Sequence, residues 1–430
     1  PSPLVGEGEG GGSGGTLQAS RPKKPGREAQ RDPPPLPAPT RGAGDAARER
    51  SALTVAIGVI SGTSMDGIDV ALIRSDGANE VETGPAATFP YPEPAAAALR
   101  AVVADPGEAE KPQAELERAV TDAHVAAVEA FLDRFGIVRE SVALVGMHGQ
   151  TTLHRPRARL TRQLCDGERA AAALRIDVVC DFRSADVAAG GEGAPFAPVY
   201  HAAMAAGLER PLMILNWGGV GNVTYLGAKG EIIAFDTGPA NALIDDFLLR
   251  RRGIALDENG ALAGEGRVDA QALEAMMRDP YFGRPAPKSL DRNHFARAAD
   301  LVEGLSDADG AATLSAFTVE ATAAALRRVP EAPRRWLVGG GGRRNRLLMH
   351  RLGERLGVRV EPVESIGFDG DAIEAQCFAY LGLRSRQGAP LSFPTTTGVP
   401  QPMTGGRYWP APKKERAPLA RGPVRSVGPS

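Results

Sequence analysis

The sequence predicts an α/β protein, and two observations support that prediction. Short apolar segments of strand length alternate along the chain with longer segments of helical periodicity. In addition, a strand–turn–strand unit with a glycine-rich turn occurs twice, at 55–73 and again at 212–226. One turn that could hold a phosphate is weak support for a ligand, but two in different halves suggest one nucleotide held between two lobes.

The individual strands and helices follow from the apolar pattern of each segment. Short apolar runs predict strands at 55–60, 70–73, 142–145, 178–179, 212–215 and 336–338. Longer periodic segments predict helices at 112–135, 240–252, 311–329 and 371–383. In the first of these helices the apolar residues near one face are Leu116, Val120, Ala123, Ala127 and Phe131, as expected of a helix packed on a core.

Composition and charge argue against several classes of protein. The 430 residues allow two or three domains, and their net charge of -2 removes the electrostatic reason to expect binding to nucleic acid or a membrane surface. No apolar run approaches the ~18 residues that span a bilayer. The cysteines Cys165, Cys180 and Cys377 are too few and too scattered for a disulfide framework or a zinc site, and they point to a reducing compartment.

Both ends of the chain differ in composition from the middle. The first fifty residues hold 10 Gly and 9 Pro and offer almost nothing to bury, so residues 1–52 are predicted to be disordered. Residues 410–430 form a second, basic tail for which disorder is also predicted. A tether to a partner or an anionic surface is the alternative for both tails. The folded part is then 53–409.

The first glycine-rich turn, between the strands at 55–60 and 70–73, could hold phosphate. Gly62 and Gly67 allow the backbone to bend and to approach a ligand closely. Hydroxyls and carboxylates lie in the same turn, at Thr63, Ser64, Asp66 and Asp69. Backbone N–H groups could form a nest for phosphate oxygens, and a carboxylate could orient a metal or a substrate hydroxyl. A simple hairpin turn is the alternative.

Two further glycine segments have similar features. The second turn, 215–224, contains Gly218 and Gly219 and is again flanked by apolar strands. The third segment, 336–345, runs from a strand into four glycines and then towards a helix, which suits a base, a ribose or a phosphate at the helix N-terminus. Neither a dinucleotide fingerprint nor a P-loop sequence is present.

Several polar residues near strand ends are candidates for contact with a substrate. Asp236 follows a short strand and could take a proton in a cleft. Alternatively, Asp236 or Thr237 could only cap the helix that begins near Ala240. His148, Gln150 and Thr151 could face a ligand or have only structural roles. Arg183 could pair with an anionic group of the substrate, or Arg183 and Asp186 could simply bind each other.

Taken together, these segments resemble the anhydro-N-acetylmuramic acid kinase family over about 57–406. Nine blocks match in one order, which makes chance agreement very improbable. The blocks are SGTSMDGID at 61–69, HGQT at 148–151, DFRSADVAAGGEGAP at 181–195, NWGGVGNVT at 216–224, FDTGPANALID at 235–245, PKS at 287–289, VGGGGRRN at 338–345, GDAIEAQCFAYL at 370–381 and TTTGVPQPMTGG at 395–406.

The resemblance implies a fold and an activity. The fold would be the two-lobed, ribonuclease H-like fold of actin-like ATPases, with a nucleotide cleft between the lobes. Residues 53–185, completed by about 371–409, would form the N-terminal lobe and 186–370 the C-terminal lobe. The enzyme would use ATP and Mg²⁺ to open 1,6-anhydro-N-acetylmuramic acid with water and phosphorylate its 6-oxygen. That reaction belongs to peptidoglycan recycling in the cytoplasm, and the family suggests a homodimer.

The same resemblance implies roles for individual residues, without assigning a metal ligand. The ATP-binding residues would be Gly62, Thr63, Ser64, Met65, Asp66, Gly67, Ile68, Asp69, Gly218, Gly219, Asn222, Gly339, Gly340, Gly341 and Asn345. The general base that activates water would be Asp236. The sugar-binding residues would be His148, Gln150, Thr151, Arg183 and Glu374, with Arg183 as the partner of the lactyl carboxylate.

The chain departs from the family pattern at several positions. Glu192 stands where the pattern has Gln, which places a negative charge near a loop expected to contact an anionic sugar. Trp217 replaces a small aliphatic residue, and Cys165 and the run after PKS also differ. Two alternatives therefore stay open: a nucleotide-binding member of the fold without turnover, and a kinase for another amino sugar.

Overall fold

The computed structural model describes residues 53–62, 65 and 67–412. Its thirteen strands are β1 (Thr54–Ser61), β2 (Ile68–Ser75), β3 (Val81–Phe89), β4 (Leu144–Met147), β5 (Gln150–Arg155), β6 (Leu160–Leu164), β7 (Val178–Cys180), β8 (Leu212–Trp217), β9 (Val220–Leu226), β10 (Ile232–Pro239), β11 (Arg335–Gly339), β12 (Arg359–Pro362) and β13 (Arg407–Trp409). The two tails for which disorder is predicted, residues 1–52 and 410–430, lie outside the described residues except for 410–412.

The α-helices of the described residues fill the segments between these strands. They are α1 (Glu93–Ala104), α2 (Pro106–Glu110), α3 (Ala114–Phe135), α4 (Gly167–Leu174), α5 (Ser184–Ala188), α6 (Ala197–Met204), α7 (Asn241–Arg252), α8 (Ala261–Glu265), α9 (Ala270–Met277), α10 (Asp307–Ala323), α11 (Arg346–Leu356) and α12 (Ile373–Arg386). Within the described part of the chain, no helix is long and apolar enough to cross a membrane.

Two sheets repeat one pattern of strand pairing. The first has the order β13-β7-β4-β1-β2-β3, in which β1, β2 and β3 are antiparallel neighbours and β4 runs parallel to β1. The second has the order β10-β9-β8-β11-β12, in which β8, β9 and β10 are antiparallel neighbours and β11 runs parallel to β8. In each sheet the first hairpin turn is one of the glycine-rich turns singled out in the sequence.

Helix α12 packs directly on the middle of the first sheet because two glycines leave room for it. A Cβ atom at Gly58 in β1 would lie 1.8 Å from the carbonyl oxygen of Ala375. A Cβ atom at Gly146 in β4 would lie 2.0 Å from the carbonyl oxygen of Phe378. Any larger residue at either position would push the helix off the sheet.

The same helix joins the two sheets through a shared hydrophobic cluster. Helix α6 packs on β9 and β10, helix α12 packs on β1 and β4, and the two helices contact each other. Buried residues from both sheets, such as Leu144 and Leu337, belong to this cluster. The α/β class and the two-lobed arrangement predicted from the sequence are confirmed, whereas the lobe boundaries near 185 and 370 stay predictions.

Candidate active site

The first glycine turn joins β1 to β2 and is tightly bent. The Met65 N–H donates to the Gly62 carbonyl across 3.2 Å, and Met65 has a left-handed backbone with φ of 55°. A Cβ atom at Gly67 would lie 2.4 Å from the methyl group of Thr88 in β3, so the turn passes close to that strand. Thr63, Ser64 and Asp66, predicted to bind ATP, lie outside the described residues.

A buried polar network supports this turn from behind. The Ser61 hydroxyl donates to Oε1 of Gln150 across 2.6 Å, and Nε2 of Gln150 donates to the Gly62 carbonyl across 3.3 Å. Nε2 of His124 lies 3.1 Å from the same Ser61 hydroxyl, and burial lowers the pKa of His124 to about 4. The amide of Gln150, predicted to bind the sugar, is therefore engaged with the first turn. Thr151, also predicted to bind sugar, accepts a hydrogen bond from Gln163.

The second glycine turn, Gly218–Gly219 between β8 and β9, is bonded to the start of helix α7. The Asn241 N–H donates to the Gly218 carbonyl across 3.0 Å, and the Ala240 N–H donates to the Gly219 carbonyl across 3.1 Å. The indole of Trp217 is fully buried and donates to the Thr322 hydroxyl across 3.0 Å. The indole of this unusual Trp therefore packs in the core behind the turn.

The third glycine segment packs against the second turn. Gly340 has φ of 71°, and a Cβ atom there would lie 2.7 Å from the Trp217 carbonyl oxygen, so only glycine fits. Gly339 ends β11, and Gly341 begins a 3₁₀ turn. Asn345 caps α11 by accepting from the Leu348 N–H, whereas Asn222 lies in β9 opposite Asn216.

The beginning of α12 connects the first and third glycine segments. Asp69, at the start of β2, lines a small cavity of about 140 Å³ together with Ala372 and Asp371. Asp371 in turn accepts from Nη1 of Arg343 in the third segment, across 2.9 Å. Neighbouring atoms keep part of the water away from the Glu374 carboxylate, and this desolvation together with the negative charge of Asp69 raises the pKa of Glu374. The residue nevertheless remains exposed to solvent. Carboxylates thus cluster where these segments meet.

Asp236 lies within strand β10 and is held by the segment that follows residue 287. Its carboxylate Oδ2 accepts from the Leu290 N–H across 2.7 Å, and its own N–H donates to the Lys288 carbonyl across 2.9 Å. Helix α7 begins at Asn241 after an Ala240 N-cap, and β10 continues to Pro239. Asp236 does not cap that helix, so the capping alternative is wrong.

The surroundings of Asp236 raise the pKa of its carboxyl group. Burial raises the pKa of Asp236 to about 6, against the opposing effects of the Leu290 N–H and the Lys288 charge. Burial and two neighbouring arginines lower the pKa of Lys288 to about 8. The Lys288 ammonium donates to the Tyr281 carbonyl across 3.0 Å and lies 4.0 Å from the centre of the Tyr281 ring. A carboxylate with such a pKa is ionised at neutral pH and basic enough to accept a proton.

Arg183 binds His148 and a neighbouring loop. Its Nε and Nη2 atoms lie 3.1 Å and 3.0 Å from Nε2 of His148, which accepts, and Nη1 donates to the Gly193 carbonyl across 2.6 Å. Burial and the Arg183 charge hold the pKa of His148 well below its usual value, so the ring is neutral. Asp186 accepts instead from Thr397 and from the Gly193 N–H. The alternative in which Arg183 and Asp186 bind each other is therefore wrong.

A cavity of about 600 Å³ lies beside the segment that binds Asp236, since Lys288 and Leu290, which are both bonded to Asp236, line it. One wall is the segment that holds Asp236, including Lys288 and Leu290, and the opposite wall comes from residues 155–158, at the tip of the β5–β6 hairpin. Glu192 also lines the cavity. Sequence reasoning gave no role to Lys288 or Arg284, although the PKS block at 287–289 was a signal that this segment is part of the site.

The described residues provide carboxylates but no preformed metal cage. No group of three or more His, Cys, Asp or Glu among them is arranged to hold a metal ion. The arrangement can bind phosphate at glycine turns, hold a sugar-sized ligand in the cavity, and remove a proton at Asp236.

Comparisons with known proteins identify relatives of the chain. The family model described as anhydro-N-acetylmuramic acid kinase matches residues 54–411. A protein of that name from Rhodospirillum rubrum is 53% identical over 366 residues, which are 85% of this chain and 96% of the relative. One from Paramagnetospirillum magneticum is 50% identical over 355 residues, 82% of this chain and 99% of the relative. A solved ROK family glucokinase from Streptomyces griseus is 16% identical with a TM-score of 0.36, covering 78% of this chain and all of that one.

Proposed function

Since the chain belongs to the anhydro-N-acetylmuramic acid kinase family, we propose that it converts 1,6-anhydro-N-acetylmuramic acid and ATP to N-acetylmuramic acid 6-phosphate and ADP. The observation that carries this proposal is Asp236, a carboxylate whose pKa is raised to about 6 and whose bonded neighbours Lys288 and Leu290 line a cavity of about 600 Å³. Enzymes that activate water with a carboxylate raise its pKa towards the working pH in this way.

The two glycine turns and the third glycine segment are the proposed ATP site. The first turn would hold phosphate with its N–H groups, together with Thr63, Ser64 and Asp66. The second turn would contribute Gly218 and Gly219 from the other sheet. The third segment packs on the second turn, where only glycine fits, and by its resemblance to the family it would face the adenosine.

Mg²⁺ fits the donor set where the glycine segments meet. Mg²⁺ prefers oxygen ligands and is commonly held by one or two carboxylates plus substrate phosphates. Asp69 and Glu374 supply such carboxylates, and they are near enough for the charge of one to raise the pKa of the other. When bound, the ion would neutralise charge on the transferring phosphoryl group.

Asp236 would act on the water that opens the anhydro ring. As the water oxygen bonds to the anomeric carbon, the carboxylate takes a proton from it. The bond from that carbon to the 6-oxygen breaks, and its electron pair stays on the 6-oxygen. That oxygen attacks the γ-phosphorus of ATP, ADP leaves, and Asp236 returns its proton to solvent.

The remaining candidates take supporting places around the sugar. Arg183 holds neutral His148 and the carbonyl of Gly193, so the arginine fixes one wall of the site as well as carrying charge. Thr151 lies on β5 and is only partly buried. Gln150 would serve the ATP turn instead of the sugar, because its amide binds Ser61 and Gly62.

The test is an ADP-release assay with MgATP and 1,6-anhydro-N-acetylmuramic acid, with the sugar product analysed by mass spectrometry. The expected product is heavier than the substrate by one water and one phosphoryl group. ADP release with a different amino sugar in a parallel panel would support the alternative kinase. ATP binding without phosphate transfer to any sugar would favour a non-catalytic member of the fold and would contradict the proposal.

A further inference from the structure

The cavity beside Asp236 carries more positive than negative charge. Its lining contains Arg155, Arg157, Arg284 and Lys288 against Glu192 and Asp291. Arg155 is neutralised by an ion pair with Glu110. Among the described residues, Arg157, Arg284 and Lys288 have no such ion pair. Cations without a carboxylate partner at the edge of a sugar-sized cavity are suited to an anionic ligand.

Arg284 and Lys288 both line this cavity and both lie near the Tyr281 ring. The Arg284 guanidinium carbon lies 5.7 Å from the centre of the Tyr281 ring, and the Lys288 ammonium lies 4.0 Å from the same centre. Lys288 is only 8% exposed and has one protein acceptor, the Tyr281 carbonyl. Burial lowers the pKa of Lys288, and the nearby charges of Arg328 and Arg284 lower it further because like charges repel. A bound anion would relieve this repulsion.

Glu192 faces the same cavity with the opposite charge. Its N–H donates to the Thr397 carbonyl across 2.7 Å, and the next residue, Gly193, is bonded to both Arg183 and Asp186. The backbone of this loop is thus fixed, which keeps the Glu192 side chain anchored at the cavity wall. Among the described residues, no cation forms an ion pair with Glu192.

We propose that Arg284 and Lys288 bind the carboxylate of the sugar's lactyl group, and that Glu192 weakens this binding. This inference rests on the proposed function, and it assigns the carboxylate to a different wall from Arg183. Nη1 of Arg183 already binds the Gly193 carbonyl, and its Nε and Nη2 bind His148. The selectivity of the site for acidic over neutral anhydro sugars then depends on the balance between Arg284 and Glu192.

The test compares three ligands that differ in charge: 1,6-anhydro-N-acetylmuramic acid, its methyl ester and 1,6-anhydro-N-acetylglucosamine. Affinities are measured by isothermal titration calorimetry without ATP, and kcat/KM is measured with MgATP. The R284Q variant should lose about tenfold or more for the acid, as expected for a charge-assisted hydrogen bond, and stay within about twofold for the neutral sugars. The isosteric E192Q variant should gain about two- to tenfold for the acid alone.

The matched control is R278Q, because Arg278 is a solvent-exposed arginine paired with Glu274 away from the cavity. It should leave all three ligands unchanged. The inference would be overturned if R284Q lost equal affinity for the acid and for the neutral sugars, or if E192Q bound the acid more weakly. Either result would still be compatible with the proposed kinase function. Wild-type protein that binds the acid no better than its ester would overturn it as well. Binding of the acid without any turnover would instead contradict the proposed function alone.

Discussion

Replacing Asp236 by Asn is expected to abolish turnover while preserving the fold. Asn keeps the shape and an oxygen that can accept from the Leu290 N–H, which now bonds the carboxylate across 2.7 Å. It cannot take a proton from water, so kcat should fall by about 10²- to 10⁴-fold, the usual contribution of a positioned general base. KM for ATP and for the sugar should change by less than about threefold, because binding groups remain in place.

The same substitution is expected to stabilise the protein at neutral pH. The pKa of Asp236 in the fold is about 6, above its ordinary value of 3.8, so the folded state disfavours the ionised form. Its stabilising contribution is therefore present at acidic pH and is lost as pH rises through about 6. At neutral pH the penalty is at most about 3 kcal/mol, since one pKa unit corresponds to about 1.4 kcal/mol. Asn should recover part of this, about 1–2 kcal/mol after its weaker hydrogen bond is counted.

Activity should also report the pKa of Asp236 directly. With a pKa of about 6, the ionised fraction is about nine-tenths at pH 7 and about one-tenth at pH 5, so kcat/KM should fall about tenfold across this range. An unperturbed carboxylate would lose less than about a tenth of its activity there.

The assays are steady-state kinetics from pH 5 to 8 and urea unfolding at pH 7, with Asp300→Asn as the control. Asp300 is an exposed carboxylate, so its replacement should alter neither the kinetics nor the stability. Wild-type turnover by Asp236→Asn would refute the assignment of the general base. Strong destabilisation of the variant would refute the reasoning from burial.

Two further predictions concern the first sheet. Gln150→Leu should raise KM for ATP about five- to thirtyfold and leave the affinity for sugar unchanged. The reason is that losing two buried hydrogen bonds costs about 1–2 kcal/mol and loosens the first turn. Comparable changes in KM for ATP and in the affinity for sugar would contradict the role of Gln150 in supporting that turn. Gly58→Ala should lower the free energy of unfolding by about 1–3 kcal/mol or more, because its Cβ would meet a backbone carbonyl of α12. Urea unfolding measures this, and Gly207→Ala, with nothing within 4 Å, should have little effect.

The sequence predicted best those strands and helices whose buried apolar residues are continuous or regularly spaced. β1, β8 and α3 all coincide with predicted segments because their buried faces are continuous or strictly periodic. Strand β3 was missed because VETGPAATF contains Gly84 and Pro85, which argue against a strand interior. Strand β3 lies at the edge of its sheet, however. Proline has no backbone N–H to donate, and an edge strand tolerates it where that position faces solvent and no neighbouring strand needs the hydrogen bond.

The site was predictable only where its chemistry is local in sequence. The glycine turns lie between adjacent strands, so their spacing identified them. From the residues alone, Asp236 could be either a proton acceptor or a helix cap. The sequence placed the start of α7 correctly, but it does not show which way the Asp236 carboxylate points. For Arg183 the residues alone left two partners open, an anionic group of the substrate and Asp186, because its partner His148 is 35 residues away. Lys288 reaches Asp236 from 52 residues away, and no spacing rule detects such a contact.

The proposed carboxylate site makes the acidity of Asp236 depend on the bound sugar. The positive charge of Lys288 lowers the pKa of Asp236, and Arg284 lies next to Lys288. A lactyl carboxylate that binds these cations would cancel part of their effect and raise the pKa of Asp236. Nearby opposite charges shift carboxyl pKa values by about 1–3 units, so a rise of about half a unit or more is expected.

The pH profiles separate the two states, because kcat/KM reports the free enzyme and kcat reports the enzyme–substrate complex. For the acidic sugar, the acid limb of kcat should have its midpoint above that of kcat/KM. For the neutral methyl ester, the two midpoints should coincide. Coincident midpoints for both sugars would mean that the carboxylate lies away from Lys288, whereas a shift confined to the acid would connect recognition of the substrate to the strength of the base.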